Sequence, residues 1–281
     1  MFQIQDAVSE TLLIPLYMRY RESLKPNPII HDESALRLIP QIDYDFSKFD
    51  TAVHSSVGSA IRATYLDNVT KDFIQRHQQP IIVMVGCGLD ARHERVGDIG
   101  KNIPFYELDL PDVIALRKQM MPPAENEILL PASAFETDWM DTLQTQYPHA
   151  SFLFVIEGVL MYFAPDEVKS FFEELCRQFD NATVIFDMLA FSLVGHAKDH
   201  DSLRKVDDVE FRWSLLDTKD MEKWNSKIHL KTEYYMSDYE NGRYPFVFRM
   251  LYKLKYFYRR FNQRVVVLRI RNRTASPDKN E

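Results

Sequence analysis

Gly86-Cys87-Gly88 follows directly on the short apolar run Ile81–Val85. β-branched residues dominate that run, so it reads as a fully buried strand. Two glycines straight after such a strand mark a backbone that turns sharply and lets something come close. The whole chain has only 8 glycines, which makes this pair informative. About 20 residues further on, Phe105–Leu110 (FYELDL) is a second candidate strand carrying the acids Glu107 and Asp109 near its end. A carboxylate at the tip of a neighbouring parallel strand can hold the two hydroxyls of a ribose. The chemistry these residues suggest is nucleoside recognition at the carboxyl ends of adjacent strands.

Spacing alone leaves the nucleoside open. Gly86-x-Gly88-x-x-Ala91 also fits the dinucleotide pattern, so an NAD-linked oxidoreductase stands as one alternative. Two features tilt the reading away from it. The segment after the glycines, LDARHERVGDIG, is charged and short, where a dinucleotide fold wants a long apolar helix facing a pyrophosphate. Asp90 stands near the start of that segment, where its charge would oppose bound phosphate. S-adenosylmethionine carries no phosphate and suits the residues better.

The elements that must position these residues alternate from residue 80 onward. Strands are expected at 81–85, 104–108, 127–130, 151–157, 182–187, 227–235 and 264–270. Helices are expected at 90–98, 111–120, 138–145, 165–179 and 246–260. The helix at 165–179 has the strongest signal: Pro165 in the first turn, acids beside it, and Val168, Phe171, Phe172, Leu175, Cys176 and Phe179 on one stripe. Such alternation predicts an α/β fold with a doubly wound parallel sheet. Before it, residues 4–22 read as an amphipathic helix with Ile4, Val8, Leu12, Leu16 and Tyr20 on one face. A second helix starts near Asp32, residues 41–50 read as loop, and a third helix spans about 50–76. Residues 1–78 are thus expected to be a helical flank or lid, 80–190 the cofactor-binding core, and the poorly periodic 190–226 a substrate cap, all within one domain spanning 1–281.

Composition narrows the class further. At 46% apolar and 27% charged residues the chain is an ordinary globular one. Its net charge of −7 predicts no nucleic acid and no membrane partner. Cys87 and Cys176 form no disulfide framework, and Cys87 reads as a small residue tolerated in the turn. The amino-terminal stretch shows no basic leader, and no apolar run approaches the about 18 residues a membrane span needs. A reducing cytoplasm is the expected location.

The segments GCGLDARHERV, FYELDLPDVI, TDWMD and VIEGVLMYFAPDEVKSFFEEL, in that order, resemble the leucine carboxyl methyltransferase family. Within it they are similar to the bacterial polyketide O-methyltransferase branch of tetracenomycin-synthesis type. NPIIHDESA and the AIRATYLD around Arg62 share the likeness, which covers about residues 25–190. The resemblance implies a class I S-adenosylmethionine-dependent methyltransferase fold, Rossmann-like, with seven strands, the last antiparallel and inserted. It implies S-adenosylmethionine as cofactor and S-adenosylhomocysteine as product.

The resemblance also assigns roles. Gly86 and Gly88 would let the backbone pass close to the methionine part of the cofactor. Asp109 would take the ribose hydroxyls, with Glu107 competing. Asp138 and Trp139 would sit at the adenine, while Asp138 alone also reads as an N-cap. Glu157, a carboxylate in the apolar run FLFVIEGVL, would face the ammonium of the cofactor or else belong to a buried ion pair. Arg62 would pair with the cofactor carboxylate, a contact for which a planar guanidinium suits better than Lys. Arg92 reads as a salt-bridging support of the glycine turn. Tyr162 and Phe163 are expected near the transferred methyl, where an aromatic face suits a sulfonium, or in plain core.

Methyl transfer from a sulfonium needs alignment and dehydration more than acid–base chemistry. A carboxylate acceptor is already ionised at pH 7 and needs no general base. A hydroxyl acceptor would need one, for which His196 and His200 are candidates. Their i,i+4 spacing also suits a metal pair, but no third ligand is evident, and no metal is expected. The expected acceptor is a small, polyketide-like molecule. Methylation of a protein's carboxyl-terminal leucine, and assembly with a second copy of the chain, stay open beside it.

Overall fold

The computed structural model describes residues 2–3, 7–203, 206 and 209–271. Ile4 of the expected first stripe and the polar stretch Thr274–Glu281 lie outside them. Seven strands form one sheet: β1 (Pro80–Val85), β2 (Phe105–Asp109), β3 (Glu127–Pro131), β4 (Ser151–Ile156), β5 (Asn181–Met188), β6 (Ile228–Tyr235) and β7 (Arg264–Arg271). Their order across the sheet is β3-β2-β1-β4-β5-β7-β6. The first five pair in parallel, and β7 runs antiparallel between β5 and β6. This is the inserted antiparallel strand that the resemblance implies. β1 and β4 are buried almost throughout because helices cover both faces, which is why each reads as a continuous apolar run.

Nine helices frame the sheet among the described residues. α1 (Ala7–Ser23), α2 (Glu33–Leu38) and α3 (Val53–Arg76) precede it. Asp32 caps α2 as expected, its side chain accepting the Ala35 N–H at 2.8 Å. α1 departs from the expected stripe. Leu13, Leu16, Met18, Arg19 and Glu22 are all buried, so the helix is enclosed around most of its girth, and Pro15 sits in its interior. A segment buried on several faces loses the periodicity that a one-sided stripe would show.

α4 (Arg92–Val96), α5 (Pro111–Met120), α6 (Asp138–Gln146) and α7 (Pro165–Gln178) follow the first four strands. The six predicted stripe residues of 165–179 are all buried, in one cluster with Phe152, Phe154 and Phe186 from the sheet. The expected helix at 246–260 is two short ones, α8 (Phe246–Leu251) and α9 (Lys255–Phe261). The expected loop at 41–50 contains two-residue and one-turn elements, Ile42–Asp43 and Phe46–Phe49. No helix among the described residues is long and apolar enough to cross a membrane.

Candidate active site

The strand register lines up the chemistry. Val85 of β1 pairs with Leu108 and Ile156, and Ile156 pairs with Phe186. One residue further along each strand stand Asp109, Gly86, Glu157 and Asp187. Four neighbouring tips therefore present acid, glycine, acid, acid in a row. A cavity of about 670 Å³ opens over the first three, lined by Asp109, Gly86, Gly88, Glu157 and, from α3, Arg62.

Each group in the row is fixed by partners. Asp109 accepts the Gly88 and Leu110 N–H groups, both at 2.8 Å. Burial raises its pKa despite those bonds. Arg62 donates to Glu157 and to Asp187, both at 2.9 Å. Burial opposes its charge, but the two carboxylates outweigh that and raise its pKa. Asp187 also accepts the Gly158 N–H at 2.6 Å and the Gln263 amide at 2.9 Å. Glu157 is shared with Arg92, at 2.5 Å, so it belongs to a buried ion-pair network whatever else it meets.

Arg92 supports the turn. It is fully buried and donates to Asp67 on α3, Asp90 in the turn and Glu157 at the β4 tip. Burial alone would raise the Asp90 pKa; Arg95 and Arg92 outweigh it and hold the carboxyl well below its usual range. Arg117 on α5 donates to the Gly88 and Asp90 carbonyls at 3.0 and 2.8 Å. The glycines themselves are tightly enclosed. Gly86 has φ +69°, and a Cβ there would lie 2.4 Å from Val159 Cγ2; Gly88 has φ +48°, with Leu12 of α1 at 3.0 Å.

The structure separates the other candidates. Glu107 is fully buried off the cavity, 3.4 Å from Arg117, so of the two acids on β2 only Asp109 reaches the lining. Asp138 and Trp139 do not line the cavity. α6 begins at Asp138 itself, with Thr137 in the cap position, so the expected N-cap is displaced by one residue. Trp139 turns inward onto Phe154, with ring centroids 6.2 Å apart. Ala132, Ser133, Ala134 and Phe135 line the cavity in their place.

Tyr162 and Phe163 do line it, and burial pushes the Tyr162 hydroxyl up to about 12. His200 lines it as well, its Nδ1 2.9 Å from Ser202 Oγ. His196 is exposed, outside the lining, and bonded to the Val194 carbonyl. The i,i+4 reasoning fails there because Ala197–Asp199 is a single 3-10 turn, not an α-helix. Among the described residues no three His, Cys, Asp or Glu side chains are grouped to hold a metal.

Three residues at the site carry no sequence expectation: Arg19 on α1 and Ser59, one turn before Arg62, in the lining, and the buried Asp187 behind it. Asp187 had a readable signal, a lone acid ending the apolar run ATVIFDM, as Glu157 ends FLFVIE. Ser59 Oγ is buried with no hydrogen-bond partner among the described residues, so the wall holds a polar group that a ligand can satisfy.

The leucine carboxyl methyltransferase family matches residues 13–176. The tetracenomycin polyketide synthesis O-methyltransferase TcmP of Streptomyces glaucescens is 28% identical over 231 residues, covering 82% of this chain and 84% of its own. The S-adenosyl-L-methionine-dependent methyltransferase dpfgK of Gibberella zeae is 28% identical over 235 residues, covering 76% and 77%. Two solved structures share the fold at low identity. A candidate methyltransferase from Thermobifida fusca YX superposes with a TM-score of 0.55 at 11% identity, covering 91% of this chain and 94% of its own. An S-adenosylmethionine-dependent methyltransferase from Anabaena variabilis gives 0.50 at 9%, covering 93% and 95%.

Proposed function

The chain belongs to the leucine carboxyl methyltransferase family and is an S-adenosylmethionine-dependent methyltransferase, and on that premise we propose that it methylates an oxygen of a small, polyketide-like acceptor, a carboxylate first and a hydroxyl second. The observation that carries the reading is the row Asp109, Gly86 and Glu157 in the lining of a cavity that also has many aromatic and aliphatic residues, with Asp187 buried behind it and bonded to Arg62. The Streptomyces glaucescens relative is an O-methyltransferase of polyketide synthesis, which supports an oxygen acceptor of that class.

The residues present fit the cofactor. Asp109, held by two N–H groups, keeps lone pairs for ribose hydroxyls. Gly86, next in the row, leaves room for backbone approach. Arg62 would take the carboxylate of the amino-acid tail, with Asp187 behind it holding the guanidinium; Glu157 would take the ammonium, and Ser59 adds a hydroxyl there. Ala132 to Phe135 border Asp109 and would meet the adenine. No phosphate group is called for, and α4, only five residues long, offers no pyrophosphate helix beside the buried Asp90 carboxylate.

When bound, S-adenosylmethionine supplies a methyl on a sulfonium with a neutral leaving group. The chain's own residues align the acceptor and exclude water. Ile14, Pro15 and Met18 of α1, with Leu203 and Phe211, add apolar surface to the lining. Tyr162 keeps its proton near neutrality, so its hydroxyl is available to donate to an acceptor and does not act as a base. A carboxylate acceptor needs none. For a hydroxyl acceptor, His200 is the lining residue placed to accept the proton.

The test offers methyl-labelled cofactor with aromatic carboxylic acids, matched phenols, and a peptide ending in leucine. Base-labile methyl ester on the small acids is the expected product. Label on the peptide alone, or on none of the three, would overturn the acceptor class.

A further inference from the structure

The net charge of −7 conceals a strong local imbalance. From Asn241 to Arg271 there is no Asp or Glu. This stretch contains α8 and α9, and neither helix has a buried residue although both are rich in apolar ones. Phe246 is 71% exposed, Val247 64%, Tyr256 62% and Leu254 56%. Scattered exposed apolar residues are ordinary, but this many on one short helix pair form a patch that marks a contact surface. Arg249, Lys253 and Lys255 are exposed among them. The ammoniums of Lys253 and Lys255 form no ion pair with any described residue. Arg260 lies 5.0 Å from the Tyr256 ring centroid. Of the acids bordering this region, Asp238 accepts from the Tyr258 hydroxyl at 2.6 Å and Asp217 pairs with Arg259 at 3.5 Å, while Glu240 is exposed just before the stretch.

We propose that the outer face of α8 and α9 seats on an anionic lipid surface. Exposed aromatic and aliphatic side chains interleaved with Arg249, Lys253, Lys255 and Arg260, and no acid on either helix, match what such an interface demands: apolar groups to enter the acyl boundary and Lys or Arg to meet the headgroups. A twofold contact with a second copy would instead press this acid-free basic face against the same face, like charge facing like charge with no carboxylate on either helix to offset it. The inner side of the same helix pair contributes Tyr252 and Phe261 to the cavity wall. A lipid-seated α8–α9 therefore lies beside the opening that an apolar acceptor would use. That last consequence rests on the transferase reading; the lipid contact does not.

The full chain is sedimented with vesicles of phosphatidylcholine alone and of phosphatidylcholine with phosphatidylglycerol. Binding is expected with the anionic vesicles only, weakening as salt is added. Lys253→Gln with Lys255→Gln should lower partitioning on the order of tenfold, and Phe246→Ser with Val247→Ser should lower it as well. None of these four lines the cavity, so S-adenosylmethionine affinity should match the unaltered protein; that keeps a failure of the lipid contact distinct from a failure of the transferase reading. Protein left in the supernatant with both vesicle types would overturn the proposal, including where it binds an acidic polypeptide. So would a dimer in solution that the Phe246 and Val247 substitutions dissolve without any vesicle binding.

Discussion

The carboxylate of Asp109 and the backbone N–H of Gly88 are bonded at 2.8 Å across 21 residues of chain. The acid at the tip of β2 and the turn after β1 are therefore one preorganised unit, not two features that happen to face the same cavity. Asp109→Ala should weaken S-adenosylmethionine binding about ten- to hundredfold, the range of a hydrogen bond to a charged group. Asp109→Asn, which keeps one acceptor oxygen, should fall between. Calorimetric titration reads both, and unchanged affinity in Asp109→Ala would remove the ribose role.

Arg62 spans two carboxylates, so its removal has two separable effects. Arg62→Ala leaves Glu157 and Asp187 without one guanidinium in a buried setting, at a cost of about 3–5 kcal/mol in stability. It should also weaken cofactor binding. Adding Glu157→Gln should recover part of the stability, because one orphaned charge is gone, but none of the affinity. Denaturant unfolding and titration follow the two separately. Affinity that returns with stability would make Arg62 purely structural.

Glu107 gives a pH signature. Burial pushes its carboxyl up to about 7, against 4.5 for the ordinary group, and the opposing pull of Arg117 at 3.4 Å is the smaller effect. Between those values the folded chain holds a proton that the unfolded chain has released. Stability should therefore fall as pH rises through that window, by about 3 kcal/mol in all, and level off above it. Glu107→Gln should be the more stable protein near pH 8, with the gap closing towards about pH 4.5. Unfolding curves across pH measure this, and a constant gap would mean that Arg117 keeps Glu107 ionised.

Gly86→Ala meets two obstacles, a φ of +69° and Val159 Cγ2 at 2.4 Å from the new Cβ. Val159→Ala removes the second, since the next contact, Val159 Cβ, is at 3.5 Å. The pair should couple favourably in a double-mutant cycle, with a residual cost of about 1 kcal/mol from the backbone conformation. Additive losses would show that Val159 does not limit the space at Gly86.

Most of the sheet was legible because the central strands are short apolar runs closed by polar or turn residues, and the seven expected strands all form, including the mixed-polarity edge strand β6. The site was legible in its acids and less so in its neighbours. Glu157 looked like an interruption inside a strand and is the first residue beyond it. Asp187 carries the same pattern and went unread, because a single acid after an apolar run gains meaning only when register sets it beside Glu157. Asp138 and Trp139 illustrate the reverse. Their order in the chain suggested the cavity, but helical geometry points Trp139 into the core one residue after α6 begins. The break between α8 and α9 had no periodic signal, since that stretch mixes apolar and basic residues with no stripe to interrupt.

β7 is the last strand in sequence, yet it is held between β5 and β6, and Gln263 just before it bonds to Asp187. A ribosome must thus deliver every residue through Arg271 before the sheet can close on that side. Until then, β5 exposes a long unpaired edge and Asp187 lacks one of its ligands. From Met188 until Arg271 is made, the growing polypeptide carries that edge open to other strands, so chaperone shielding over this last part of translation matters more here than for a fold completed from one edge outward.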